Sequence, residues 1–128
     1  MQPESIVASV DTAPGDLEVE VSSANAAASN NLTLPGVVGK RTYLTGIAVT
    51  GGGATGASVI AVTVTGLTNT LTFQLAIPAG AAVGVFPLVV IFTRPIPASA
   101  DNTAIVVNVP SFGAGNTNAA AAAFGFQR

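Results

Sequence analysis

Three carboxylates close to the N-terminus have a spacing that could support chemistry. Asp16, Glu18 and Glu20 alternate with aliphatic residues over positions 16–21. Because successive side chains of a β-strand point to opposite faces, this spacing would place the three acids in a row on one face of a strand. Such a row could bind Ca²⁺ or supply a pair of glycosidase-like carboxylates. A half-buried strand whose acidic face is only solvated produces the same pattern, and we prefer this interpretation.

Most other residue types used in catalysis are missing. The chain has no His, no Cys and no Trp, and it has one Tyr. It therefore lacks the usual general base near neutral pH, the cysteine nucleophile and the common soft metal ligands. Residues 51–56 are rich in glycine, but they lack the Lys-Ser/Thr pair of a phosphate-binding loop and predict a hairpin turn. We therefore predict that the protein is not an enzyme and has no cofactor and no metal site.

Charged residues are scarce, which limits the kinds of partner. Only 8% of the 128 residues are charged, whereas about 25% is usual for a soluble domain. The net charge is −2, and the only basic residues are Lys40, Arg41, Arg94 and Arg128. Nucleic-acid binding and electrostatic membrane attachment both need clustered Lys and Arg, so we predict neither partner. With an apolar fraction of 49%, so little charge predicts a homo-oligomer.

The scarcity is greatest in the middle of the chain. Residues 42–93 form a run of 52 positions without a charged side chain. Gly, Pro and Thr divide this run into strand-length pieces, so it does not predict a membrane helix. Strand edges without Lys or Glu invite pairing with another chain, which predicts a β-module built for assembly. Lys40, Arg41 and Arg94 flank the run and are candidate ionic contacts with an assembly partner; ordinary solvated strand ends are the alternative.

Alternation with a period of two dominates the pattern of apolar residues, and helix signals are nearly absent. The size of the chain fits one domain spanning residues 1–128. Turn residues separate the alternating segments, which predicts an all-β, antiparallel β-sandwich or jelly roll. The predicted strands cover residues 16–21, 32–34, 40–49, 59–65, 70–77, 86–93, 103–109 and 116–126.

Two of these strands carry specific expectations. In the strand over residues 40–49, we expect Tyr43, Thr45, Ile47 and Val49 to share one face. Residues 86–93 are apolar on both faces, as in a strand buried between a sheet partner and a neighbouring subunit, and residues 94–97 (RPIP) are expected to end it.

A family resemblance is carried by the run from residue 43 to residue 126, about two-thirds of the chain. Within it, the matching segments are residues 43–52 (YLTGIAVTGG), 59–66, 95–98, 102–107 and 113–125. This run resembles small jelly-roll proteins of tailed bacteriophages. Members of that family are similar in topology to the trimeric jelly rolls of the tumour-necrosis-factor type. They serve as cement or decoration proteins of the capsid. Residues 1–40 carry no match, and we expect them to form an N-terminal arm and first strands that contact the capsid.

The resemblance implies a homotrimer on the capsid exterior that joins neighbouring major capsid subunits, after synthesis in the host cytoplasm. The trimer interface is expected to use the doubly apolar strand and the alanine-rich C-terminal strand, specifically Phe86, Leu88, Val90, Phe92, Ala121, Phe124 and Phe126. The capsid contacts are expected to use the charged residues, specifically Glu4, Asp16, Glu18, Glu20, Lys40, Arg41 and Arg94.

Two other classes of function fit the residues of this chain less well. A carbohydrate- or receptor-binding head of a phage fibre or spike would usually stack sugars on exposed aromatic rings, and this chain has no Trp and only Tyr43. An enzyme of the cupin type would need a His-rich metal cluster, and the chain has no His.

Overall fold

The computed structural model describes residues 16–26 and 28–128, and these residues contain eight β-strands and no helix. The all-β prediction is therefore confirmed. The strands are, in chain order, β1 (Leu17–Ser23), β2 (Asn30–Leu34), β3 (Thr42–Gly51), β4 (Ser58–Thr65), β5 (Leu71–Ile77), β6 (Leu88–Pro97), β7 (Ile105–Val109) and β8 (Ala119–Gln127).

The strands form two antiparallel sheets of four. The first sheet has the order β1-β8-β3-β6, and the second has the order β2-β7-β4-β5. Consecutive strands alternate between the two sheets, except for β4 and β5, which form the predicted hairpin within the second sheet. The edges are β1 and β6 in the first sheet and β2 and β5 in the second.

The core lies between the sheets and follows from the period-two alternation. In β4, Ile60, Val62 and Val64 are buried as predicted, and in β8 the odd-numbered alanines from Ala119 to Ala123 point inward. Because an alanine extends only one carbon from the backbone, β8 leaves room for the larger side chains of the facing sheet. Burial of this apolar surface, at about 25 cal/mol per Å², is the main force that holds the two sheets together.

The expectation for the faces of β3 is wrong. Thr42 and Leu44 are buried together with Ile47 and Val49, whereas Tyr43 points to the outer face. The cause is an irregularity at Thr45, where the register of β3 shifts against both β6 and β8. An extra residue in one strand reverses the side to which every later side chain points, so strict alternation fails across it.

The expected end of β6 is also wrong, because the strand continues through both prolines to Pro97. Proline has no N–H to donate to a neighbouring strand, and sheets tolerate it at an edge. β6 is such an edge strand. Between the pairs Leu44–Ile96 and Gly46–Ile91, residues 92–95 of β6 lie opposite the single residue Thr45, so the strand bends away from β3 there.

Candidate interaction surface

The outer face of the first sheet is smooth and neutral at its centre. Ala48 is paired with Ala122, and Thr50 with Ala120, across β3 and β8, and Ser22 of β1 lies beside Ala122. Side chains this small leave a shallow depression of about 340 Å³. We call this surface the alanine face. Its size and lack of charge suit close contact with another protein surface rather than with a charged ligand.

β6 borders the alanine face with exposed aliphatic side chains. Val89 and Ile91 are 58% and 59% exposed, and both point away from the core. The alternate residues Leu88, Val90 and Phe92 pack against the core from the inner face. The strand is thus apolar on both faces as predicted, but the side available to a second molecule carries Val89 and Ile91.

A larger hollow opens where β4 begins and β5 ends. Its volume is about 680 Å³, and the most exposed of its large apolar lining residues is Phe86, of which 90% is accessible. The walls contain no charged side chain. The lining residues are Ala57, Ser58, Val59, Ala76, Ile77, Pro78, Val83, Gly84 and Phe86.

The remaining predicted interface residues on β8 have little free surface. Ala121 is 5% exposed and belongs to the core, and Phe126 is 2% exposed. Phe124 is half-buried and, with Ile91, covers Gly46, where an added Cβ would lie 3.3 Å from the Phe124 ring. Of the predicted set, Phe86 is therefore the residue with the most surface to offer a partner.

Phe126 is covered by a cluster at the end of the first sheet that the sequence did not reveal. Its ring stacks on Tyr43, with centroids 5.0 Å apart and an interplanar angle of 13°. The guanidinium carbon of Arg128 lies 5.1 Å from the Phe126 centroid, within the range of a cation–π contact. Arg128 also donates two hydrogen bonds to the carboxylate of Asp16. The cluster joins Asp16, the residue before β1, to the end of β8.

The row of three acids is divided by this cluster. The Asp16 side chain is only 3% exposed and is engaged by Arg128, whereas Glu18 and Glu20 are exposed on the outer face of β1. The described residues contain no group of three or more Asp, Glu, His or Cys side chains that could hold a metal ion. Glu4 lies outside the described residues.

The flanking basic residues occupy separate positions. Arg41 is half-buried, and its Nε lies 3.3 Å from Oδ1 of Asp101, an ion pair with both side chains partly exposed. Pairs of this kind contribute little to stability, about 0–1 kcal/mol. Lys40 is half-buried next to Arg41, and Arg94 is exposed in the bend of β6. Of the three predicted basic contacts, Arg94 is thus the most accessible to another molecule.

One signal in the sequence could have identified the hollow. Val59 falls out of phase with the inward residues Ile60, Val62 and Val64, so an aliphatic side chain stands on the outer face of β4, where it is 63% exposed. Val83 lies in a loop, and no periodicity marks it. An apolar residue on the solvent side of an otherwise regular strand is a reason to expect a contact.

No protein-family model and no curated protein matches this chain. In the part of the chain that the structure describes, no helix has the length and apolar character needed to cross a membrane. The features of the described residues that bear on function are the two apolar surfaces and the distribution of the few charges.

Proposed function

We propose that this chain is a structural virion protein, a cement or decoration protein that binds the capsid of a tailed bacteriophage as a homotrimer. The observation that carries the proposal is the pairing of a neutral alanine face with the exposed aliphatic edge of β6, on a chain with no charge over residues 42–93. Such surfaces favour permanent contact with other protein, because water solvates them poorly.

The order of the strands supports a jelly roll. A jelly roll has eight strands in two antiparallel sheets, built from two Greek keys. Here each sheet has four strands, and the chain crosses between the sheets at every connection except the β4–β5 hairpin. Each sheet therefore pairs strands that are distant in sequence, such as β1 with β8 and β2 with β7, as Greek-key connections require.

The trimer contact is proposed between the edge of β6 in one copy and the alanine face of the next. Val89 and Ile91 supply protruding side chains, and Ala48 and Ala122 supply a surface that backbone can approach closely. A contact between two different surfaces of identical subunits closes into a ring when the rotation between subunits allows it. Three copies in a ring would cover Val89 and Ile91 of every copy.

The stabilising effect would be mechanical, with no reaction catalysed. A trimer seated across a joint adds buried surface between major capsid subunits, and a standard interface of roughly 1,600 Å² is enough for specific binding. The charged contacts with the capsid would come from Glu18, Glu20 and Arg94, which are exposed. Glu4 and the other predicted residues of the N-terminal arm would add to them. The protein would then lie on the outside of the capsid, after synthesis in the host cytoplasm.

The placement of Tyr43 makes a sugar-binding fibre head less well supported. One face of its ring is stacked on Phe126, and Arg128 lies 5.8 Å from its centroid. A sugar-stacking platform needs a free ring face.

The test is the native mass of the purified chain by light scattering, followed by co-sedimentation with phage heads that lack it. The proposal expects a mass of three chains and saturable binding to heads. A trimer that stays in the supernatant would exclude the cement function, and a monomer that ignores heads would exclude both the trimer and the function.

A further inference from the structure

The exposed large apolar side chains of the described residues are concentrated along one side of the molecule. Five of the seven, namely Val59, Val83, Phe86, Val89 and Ile91, lie around the hollow and along β6. We call this set the apolar edge. The other two, Leu17 and Val38, lie elsewhere. Scattered exposed apolar residues are ordinary, whereas a contiguous set marks a contact surface.

The backbone holds Phe86 firmly in its exposed position. Val85 is 8% exposed and its N–H donates to the carbonyl oxygen of Gly51 at 2.9 Å, while Pro87 restricts the chain on the other side. Two residues before Val85, the carbonyl oxygen of Val83 accepts a hydrogen bond from the N–H of Gly53 at 2.7 Å. A ring displayed on such a fixed backbone loses little conformational entropy when it binds.

We propose that the hollow receives Phe86 of a second copy of this chain. The hollow of about 680 Å³ has room for a phenyl ring, and Val59, Pro78 and Val83 give it apolar walls. This inference rests on the proposed homo-oligomer and names a contact within it that extends the one made by β6.

The absence of charge argues against a charged occupant of the hollow. No lining residue of the hollow is charged, and neither is any residue over 42–93, so the surface offers a charged partner no complementary group. This chain itself presents the fitting group, since Phe86 stands at the rim of the hollow with 90% of its surface free. Around a symmetry axis the rim of each copy can face the hollow of the next, so every copy gives one ring and receives one.

Single cysteines test the contact, because the natural chain has none. Val83→Cys places a thiol in the hollow and leaves Phe86 intact, and Val38→Cys places one at a site that is 81% exposed and distant in sequence. In the native protein, maleimide should label the thiol at position 83 at least about tenfold more slowly than the one at position 38, because a seated ring excludes water and reagent. Adding Phe86→Asp to Val83→Cys should remove this protection and lower the native mass.

The inference is overturned if maleimide labels positions 83 and 38 at equal rates. It is also overturned if the Phe86→Asp variant keeps the oligomeric mass of the natural chain. Either result leaves intact a trimer formed by other surfaces. A monomeric natural chain would overturn the inference too. If position 83 is protected and the oligomer fails to bind phage heads, the contact stands and the cement function does not.

Discussion

Arg128 and Asp16 are joined by a two-pronged ion pair across 112 positions of the sequence. Nε and Nη2 of Arg128 lie 3.1 and 3.0 Å from the two carboxylate oxygens of Asp16. The Asp16 side chain is 3% exposed and that of Arg128 is 47% exposed, so one half of the pair is shielded from water. This fork-to-fork geometry is the strongest arrangement of a guanidinium with a carboxylate. It fastens the residue that leads into β1 to the end of β8.

Replacing Asp16 with Asn should therefore lower the free energy of unfolding by about 1–2 kcal/mol, because Asn carries no charge and has one acceptor oxygen for the two Arg128 donors. The loss stays moderate because Arg128 is partly solvated. Urea denaturation measures the loss. Glu20→Gln is the matched control, since it removes a carboxylate from the exposed face of the same region. High salt should lower the free energy of unfolding of the natural chain and of the control more than that of Asp16→Asn, because salt screens the ion pair. Equal free energies of unfolding for Asp16→Asn and Glu20→Gln would show that the pair contributes nothing.

Asn116 should be the most sensitive polar residue in the described loops. It is 4% exposed, and its Nδ2 donates to the carbonyl oxygens of Gly52 and Gly53, each at 2.9 Å, and of Asn118 at 3.0 Å. Asn116→Asp would place a carboxylate against carbonyl oxygens and should cost roughly 3 kcal/mol or more. Asn118→Asp adds the same charge at an exposed position of the same loop and should cost much less. Similar melting temperatures for the two variants would contradict this role.

The strands without irregularities were predictable because pleating alone sets their faces. In β4 and β5 the alternation identified both the hairpin and the inward residues Ile60, Val62 and Leu75. The faces of β3 were not predicted, because the register shift at Thr45 involves the pairing of β3 with both β6 and β8. Gly46 is a local sign of an irregularity, because a glycine inside a strand often marks a bulge, but it does not show which side chains change face.

The outward side of β6 was predictable only in part. The apolar run over residues 86–93 indicated a strand, although the strand itself is Leu88–Pro97. A strand that is apolar on both sides does not show which side faces the core. The predicted outward residues Leu88, Val90 and Phe92 pack on the core, and the outward residues are Val89 and Ile91. The alanine-rich strand has the same ambiguity. The pair of Asp16 and Arg128 had no local signal, because the two residues meet only after β1 and β8 align.

At Gly125, β8 lies very close to β3 and to the facing sheet. A methyl group added there would overlap the carbonyl oxygen of Tyr43 and lie 3.1 Å from Cδ1 of Leu34 in the other sheet. Because the first of these neighbours is backbone, β3 and β8 would have to separate, and Gly125→Ala should cost roughly 3 kcal/mol. Gly56→Ala is the control, since no atom lies within 4 Å of its added Cβ. Thermal melts of the two variants that superimpose would refute the close approach.

Substitutions at Ile91 and Val90 distinguish the stability of the protomer from the stability of the proposed trimer. Ile91→Asp adds a charge to an exposed outer position, so the protomer should keep its fold while the trimer dissociates. Val90→Asp adds the charge to a side chain packed on the core and should destabilise the protomer itself by roughly 3 kcal/mol or more. Ala121→Asp should do the same, because Ala121 is buried within one copy.

Circular dichroism melts and native mass, measured on the same samples, distinguish these effects. If the proposed trimer contact is correct, Ile91→Asp gives a monomer with a cooperative melt, since Ile91 is exposed and lies outside the core. Val38→Asp, at an exposed loop position outside both surfaces, should change neither the mass nor the melt. An Ile91→Asp protein that keeps the mass of three chains would mean that the outer face of β6 is not the trimer contact, and the alanine face would then be available to the capsid.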